Sequence, residues 1–162
     1  MRPRGPLTRE IAIIVLAILG LADSAYLFYE YLGHEIICIG EGCSIVADSV
    51  YAEVFGVPMA VLGLIGFAFI LGSAVAALRL SGQARDWAIS AVYGFALIGL
   101  LYSGYLTYLE LFVIQAICTW FVVSAMVVAA IFVLAAVELW RGLSHRSVAV
   151  RGPSCRKGSK ER

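Results

Sequence analysis

Apolar residues fall in long runs along this chain, and polar residues gather in the gaps between them. The first run extends from Ile11 to Leu32, unbroken to Ala22 before Asp23 and Glu30 interrupt it. The second, Phe55 to Leu78, holds no charge. The third covers Trp87 to Leu109, and the fourth runs from Leu111 to about Val137, again uncharged. A helix needs about 20 predominantly apolar residues to cross the hydrocarbon layer, where every backbone polar group must be bonded within the segment. The pattern therefore predicts four membrane-spanning helices, with almost no connection between the third and fourth. The first run also admits a cleaved signal peptide, because Arg2, Arg4 and Arg9 precede a short apolar core. Its aromatic continuation (Tyr26, Phe28, Tyr29, Tyr31) favours a full span reaching an interface.

The gap between the first two runs, Gly33 to Val54, is the only sizeable connection. Within it Ile45, Val46, Ser49, Val50, Glu53 and Val54 recur at helical spacing. This predicts a short amphipathic helix on the mouth of the bundle. Gly56 and Pro58 then open the second helix, where proline in the first turn forfeits no hydrogen bond. From Ser144 onward Gly152, Pro153, Gly158 and many basic residues predict a disordered tail against anionic lipid. The expected organisation is a four-helix membrane domain over residues 1–143 and a basic tail over 144–162.

Composition agrees with this all-α integral membrane reading. Of 162 residues, 62% are apolar and 14% charged, against about half and a quarter in a soluble domain. The net charge of +1 says little; its distribution says more. Arg2, Arg4 and Arg9 precede the first run, Arg79 and Arg85 flank the second connection, and seven basic residues from Arg141 to Arg162 follow the fourth. The first connection has no Lys or Arg and carries Glu35, Glu41, Asp48 and Glu53. The positive-inside rule then places both termini in the cytoplasm and the first connection outside. Beyond the basic tail there is no footprint for nucleic acid.

Four cysteines carry the candidate chemistry. Cys38 and Cys43 share the outer connection, with Gly40 and Gly42 permitting the tight turn of a short disulfide ring. Such a pair oxidises readily outside the cytoplasm, as a structural staple or as an exchanging couple. A metal site fits poorly, because only His34 is near and a closed tetrahedral set is lacking. Cys118 is expected seven residues into the fourth helix, about 10 Å below its outer end. It reads either as a buried, inert thiol or as a sulfur within reach of a mobile Cys43. Cys155, on the opposite side, is a bystander. Asp23 is costly inside a span and faces the bundle interior, as a helix–helix hydrogen-bonding residue or in a wet cavity. Tyr102, Tyr105 and Tyr108 form either an interfacial belt or the wall of an aromatic pocket.

Three stretches together carry a resemblance: Leu21-Ala-Asp-Ser-Ala-Tyr-Leu27, the Cys38/Cys43 loop followed by Ser49-Val-Tyr-Ala-Glu-Val-Phe-Gly-Val-Pro58, and Tyr105 through Cys118-Thr-Trp120. In that order they resemble the vitamin K epoxide reductase family in its prokaryotic form, over residues 9–140. The resemblance implies a four-helix bundle in the cell membrane that moves electrons between a thioredoxin-like partner and a membrane quinone such as menaquinone or ubiquinone. No thioredoxin-like domain is fused, so the partner is expected to be a separate extracytoplasmic chain. Cys38 and Cys43 would exchange with it, and Cys43 would pass the disulfide to a pair at the outer end of helix four. The quinone would contact that region and Ser49, Phe55, Tyr105 and Phe121. Thiolate attack on a disulfide sulfur is the chemistry of each transfer.

One position departs from the family pattern. The helix-four motif C-x-x-C reads Cys118-Thr-Trp-Phe121, which puts an aromatic ring in place of the quinone-facing sulfur. Two functional readings result. One is a quinone-linked disulfide oxidoreductase blocked or altered at its last step; the other is a non-catalytic scaffold that binds quinone or a partner and keeps a structural Cys38–Cys43 disulfide. The other four-helix disulfide-generating family of bacterial membranes fits less well, because its cysteine pairs fall on different loops.

Overall fold

The computed structural model describes residues 5–32, 53–54 and 56–150. Helix α1 (Gly5–Tyr31) is followed by a two-residue antiparallel ladder, β1 (Glu53–Val54) with β2 (Val57–Pro58). Helix α2 (Met59–Arg79) and helix α3 (Gln83–Leu109) come next, then a π-helical turn (Glu110–Ile114) and helix α4 (Thr119–Val150). Four helices are long and apolar enough to cross a membrane, at Thr8–Tyr29, Met59–Arg79, Gln83–Ile114 and Thr119–Gly142. The chain is an all-α, four-helix membrane bundle.

The principal contacts join α1 to α2, α2 to α3, α3 to α4 and α4 back to α1. This is the ring that an up-down-up-down bundle makes. Its centre is built from small residues as much as large ones. Ala17, Ala74, Ala96 and Ala135 are essentially fully buried beside Ile70, Val92 and Ile131. Lipid tails are as apolar as leucine, so helices gain by close approach of their backbones, and small side chains permit it. The approach is closest where Gly20 lies under the Phe67 ring and where Gly63 lies against the Ser24 hydroxyl.

One end of the bundle is closed by charge. Arg9 Nη1 lies 2.9 Å from Glu138 Oε2, and Arg85 Nη2 lies 3.1 Å from Glu138 Oε1. Arg85 also bonds Glu10 through Nε at 3.0 Å and through Nη2. Two buried carboxylates and two arginines thus tie α1, α3 and α4 together at one level. Their compensation matters, because an unpaired charge in such a place costs several kcal/mol.

The opposite end differs from the sequence expectation. The fourth helix does not begin at Leu111. The π-helical turn prolongs α3, Gln115 adopts a left-handed backbone with φ 55°, and α4 starts only at Thr119. The apolar run through Leu111, Phe112, Val113, Ile114 and Ile117 hides the reversal, because hydrophobicity alone does not distinguish a turn from a continuing helix. Helix two likewise starts later than Phe55, at Met59, with Pro58 as its N-cap residue. Glu53 and Val54, expected in the loop helix, belong to the ladder; the rest of that predicted helix lies outside the described residues. Helix α4 runs to Val150, so the first residues of the expected tail form its last turns.

Candidate functional site

Cys118 occupies the residue immediately before α4, not a position seven residues inside it. Its carbonyl accepts the Val122 N–H at 3.1 Å, the first bond of the helix, which makes Cys118 the N-cap residue. The side chain is buried, with 6% of its surface exposed. A sulfur at this place sits where unsatisfied N–H groups give a helix its partial positive end.

The reversal that carries Cys118 is organised by Glu110. This residue is buried, at 4% exposure, in the first position of the π-helical turn. Its carbonyl accepts the N–H of Gln115 and, at 3.2 Å, that of Ala116. Its carboxyl accepts the backbone N–H of Cys118. Three donors that the break between helices would leave unsatisfied thus converge on one side chain and its own carbonyl. The first turn of α4 is further tied to α1 by Trp120, whose ring centroid lies 4.9 Å from that of Tyr26.

One turn along α4 from Cys118, Phe121 lines a cavity of about 350 Å³ between all four helices. Its walls include Leu27 of α1, Phe67 of α2 and Ile98 and Tyr102 of α3, and they are overwhelmingly apolar. Polar atoms are few and placed among them. Ser24 and Ser124 line the cavity, and the Tyr102 hydroxyl is buried without a hydrogen-bond partner among the described residues. Asp23 lies next to Ser24, with 8% of its surface exposed. The Ser124 hydroxyl faces its carboxyl but falls outside hydrogen-bonding geometry, so neither carboxyl oxygen has a partner among the described residues. Burying such groups unpaired costs about 1–3 kcal/mol each. A ligand with hydrogen-bonding oxygens would recover part of that.

These positions answer the sequence expectations unevenly. Cys118 and Phe121 fall at one end of one helix, the second on the cavity wall. Tyr105 is 55% exposed and does not line the cavity; Tyr102, one turn earlier, does. Cys38, Cys43, Ser49, Phe55 and Cys155 lie outside the described residues. Glu110 is the residue that sequence reasoning missed. The available signal is a single acid in a stretch, residues 87–137, that carries no other charge, as Asp23 is an acid within the first apolar run. Among the described residues, no cluster of three or more His, Cys, Asp or Glu could hold a metal ion. A protein-family model described as the vitamin K epoxide reductase family matches residues 11–136.

Proposed function

Because the chain belongs to the vitamin K epoxide reductase family, whose members are quinone-linked disulfide oxidoreductases, we propose that it relays electrons from a thioredoxin-like partner toward a membrane quinone by way of Cys38, Cys43 and Cys118. The observation that carries the reading is the placement of Cys118 at the N-cap of α4, one turn from a residue lining an apolar cavity. The cavity suits a quinone ring. Its walls are aromatic and aliphatic, and the unpartnered Tyr102 hydroxyl offers a donor to a carbonyl oxygen. A quinone bound there supplies a sink for two electrons and two protons.

The chain's own residues supply the rest. On this reading the partner's two thiols become a disulfide while the Cys38–Cys43 disulfide is reduced, and the two protons released end on Cys38 and Cys43. Cys43 and Cys118 would then close into a disulfide, and the two electrons and two protons that the two thiols release are those a quinone in the cavity would take up. Ser24, Ser124 and Tyr102 orient the ring, and Phe67 and Phe121 exclude water from it. The protein would sit in the cell membrane with both termini in the cytoplasm and the cysteine loop outside, as the distribution of arginine and lysine indicates.

Phe121 sets the limit of the relay. It takes the place of the second helix-four sulfur, so Cys118 has no partner thiol on its own helix, and only Cys38 is left to resolve a Cys43–Cys118 bond. That same residue favours a second reading, a scaffold that binds quinone or a partner without turning over. Thiol-dependent reduction of a soluble quinone by the purified protein tests the two. The relay reading expects Phe121→Cys to raise the rate at least about tenfold, since a resolving thiol one turn away makes the step intramolecular. A folded Phe121→Cys protein with an oxidised 118–121 pair and no quinone reduction would refute the relay.

A further inference from the structure

The break between α3 and α4 sets a problem in backbone chemistry. Residues Gln115 to Cys118 are in no helix, and Gln115 has a left-handed φ of 55° that a side chain bearing a Cβ rarely takes. The surrounding sequence is apolar, so water and neighbouring side chains offer little to the exposed N–H groups. Glu110 meets the need from both of its ends. Its carbonyl holds Gln115 and Ala116, and its carboxyl holds Cys118.

We propose that Glu110 is a positioning residue for Cys118: by holding both sides of the reversal it fixes the sulfur at the N-terminus of α4 and keeps it shielded until a partner thiol arrives. The inference rests on the relay reading for its purpose, although not for its geometry. Three observations support it independently of any titration. The acid is almost wholly buried, it is the first residue of the wide turn, and the group it bonds is the backbone of the cysteine itself. A burial of this kind in an apolar stretch is costly unless the side chain satisfies specific donors. The reach is specific too, because the carboxyl must span from the start of the π-helical turn to the residue that caps α4. Glutamine has the same length and retains an acceptor oxygen. Aspartate retains the acid and is one methylene short.

The test uses full-length protein carrying Cys38→Ser, Cys43→Ser and Cys155→Ser, so that Cys118 alone reacts. The rate of its alkylation by N-ethylmaleimide is measured in detergent at several pH values for the parent and for Glu110→Gln, Glu110→Asp and Glu110→Ala. Circular dichroism confirms that each is folded. Loss of one buried hydrogen bond to the reversal should free the sulfur and speed labelling about tenfold in the Ala and Asp variants, whereas Gln stays within about threefold of the parent across the pH range. Should Ala fail to fold, the contrast between Gln and Asp carries the same decision. Equal rates in all four proteins, or Asp matching the parent while Gln reacts fast, would overturn the proposal; the second pattern would mean that charge rather than reach is what counts. Labelling needs neither quinone nor partner, so it stands whether or not the relay turns over. In chains that retain Cys43 and carry Cys38→Ser, Glu110→Asp should also lower the yield of a Cys43–Cys118 disulfide. An unchanged yield there, with slow labelling, likewise overturns it and leaves the relay untouched.

Discussion

Replacing Gly20 by alanine places a methyl group inside the ring of Phe67. A Cβ built at residue 20 falls 2.6 Å from Phe67 Cδ1 and closer still to Cε1 and Cζ. Carbon atoms in contact sit about 3.5–4.0 Å apart, so the ring must retreat by about 1 Å or more, or the two helices must separate. Separation would pull apart the small-residue core around Ala17 and Ala74. The ring has an easier way out, since Phe67 also lines the cavity. Overpacking of this kind costs about 1–3 kcal/mol, and the lower half of that range applies if the ring turns into the open space. Two measurements then move together: stability in a denaturing-detergent titration falls, and binding of a soluble quinone by calorimetry weakens as the ring fills its site. A double-mutant cycle with Phe67→Leu should return a coupling above about 0.5 kcal/mol, because the smaller side chain leaves room for the methyl group. A Gly20→Ala protein within about 0.5 kcal/mol of the parent, or a cycle with no coupling, would refute the argument from the packing geometry.

Three further outcomes are expected. Glu138→Gln should cost about 1–3 kcal/mol in the same titration, less than a fully buried pair because both arginines keep some access to water, and an unchanged midpoint would mean that the cluster holds nothing together. After mild reduction of sealed cells, a membrane-impermeant thiol reagent should label Cys38 and Cys43 and spare Cys155; the reverse pattern would invert the proposed orientation. Peptide mass spectrometry of non-reduced Cys38→Ser protein should find Cys43 joined to Cys118, and a Cys118 that is never joined under oxidising conditions would remove it from the relay.

The spans were legible because a bilayer imposes one rule on length and polarity, and runs such as Met59–Arg79 obey it with nothing to confuse the reading. What was not legible depends on contacts between distant residues. Arg9 and Arg85 were read only as charges flanking spans, yet they close one end of the bundle on Glu10 and Glu138, partners 53 to 129 residues away. The start of α4 was misplaced for a related reason. Leu111 to Ile117 are apolar whether they form a helix or a turn, and the deciding features are a left-handed Gln115 and the three N–H groups that Glu110 satisfies. Cys118, expected seven residues inside the fourth helix, lies about two turns from that position, immediately before α4. Tyr102 and Tyr105 lie one turn apart on α3, and a repeat of three residues does not tell which of them lines the cavity; Tyr102 does and Tyr105 does not.

The two ends of the bundle treat buried polar groups in opposite ways, and the contrast bears on where function lies. At the arginine end each buried carboxylate is matched, with Glu138 shared between two guanidinium groups and Glu10 held by one of them. Such a cluster holds α1, α3 and α4 together at that end. Around the cavity the accounting is left open. Both oxygens of Asp23 and the hydroxyl of Tyr102 are buried without partners among the described residues, although phenylalanine at 102 or leucine at 23 would pack an apolar bundle at no such penalty. A stability argument alone therefore selects against these two side chains and for the cluster. The presence of Tyr102 in the wall of a cavity of about 350 Å³, one helical turn beyond a buried cysteine, is accounted for if something with acceptor oxygens enters it. Tyr102→Phe separates the two interests: it should leave the fold as stable as the parent or more so, and weaken quinone binding by about five- to tenfold through loss of one hydrogen bond. Lower stability with undiminished binding would show that the hydroxyl serves the bundle and not a ligand.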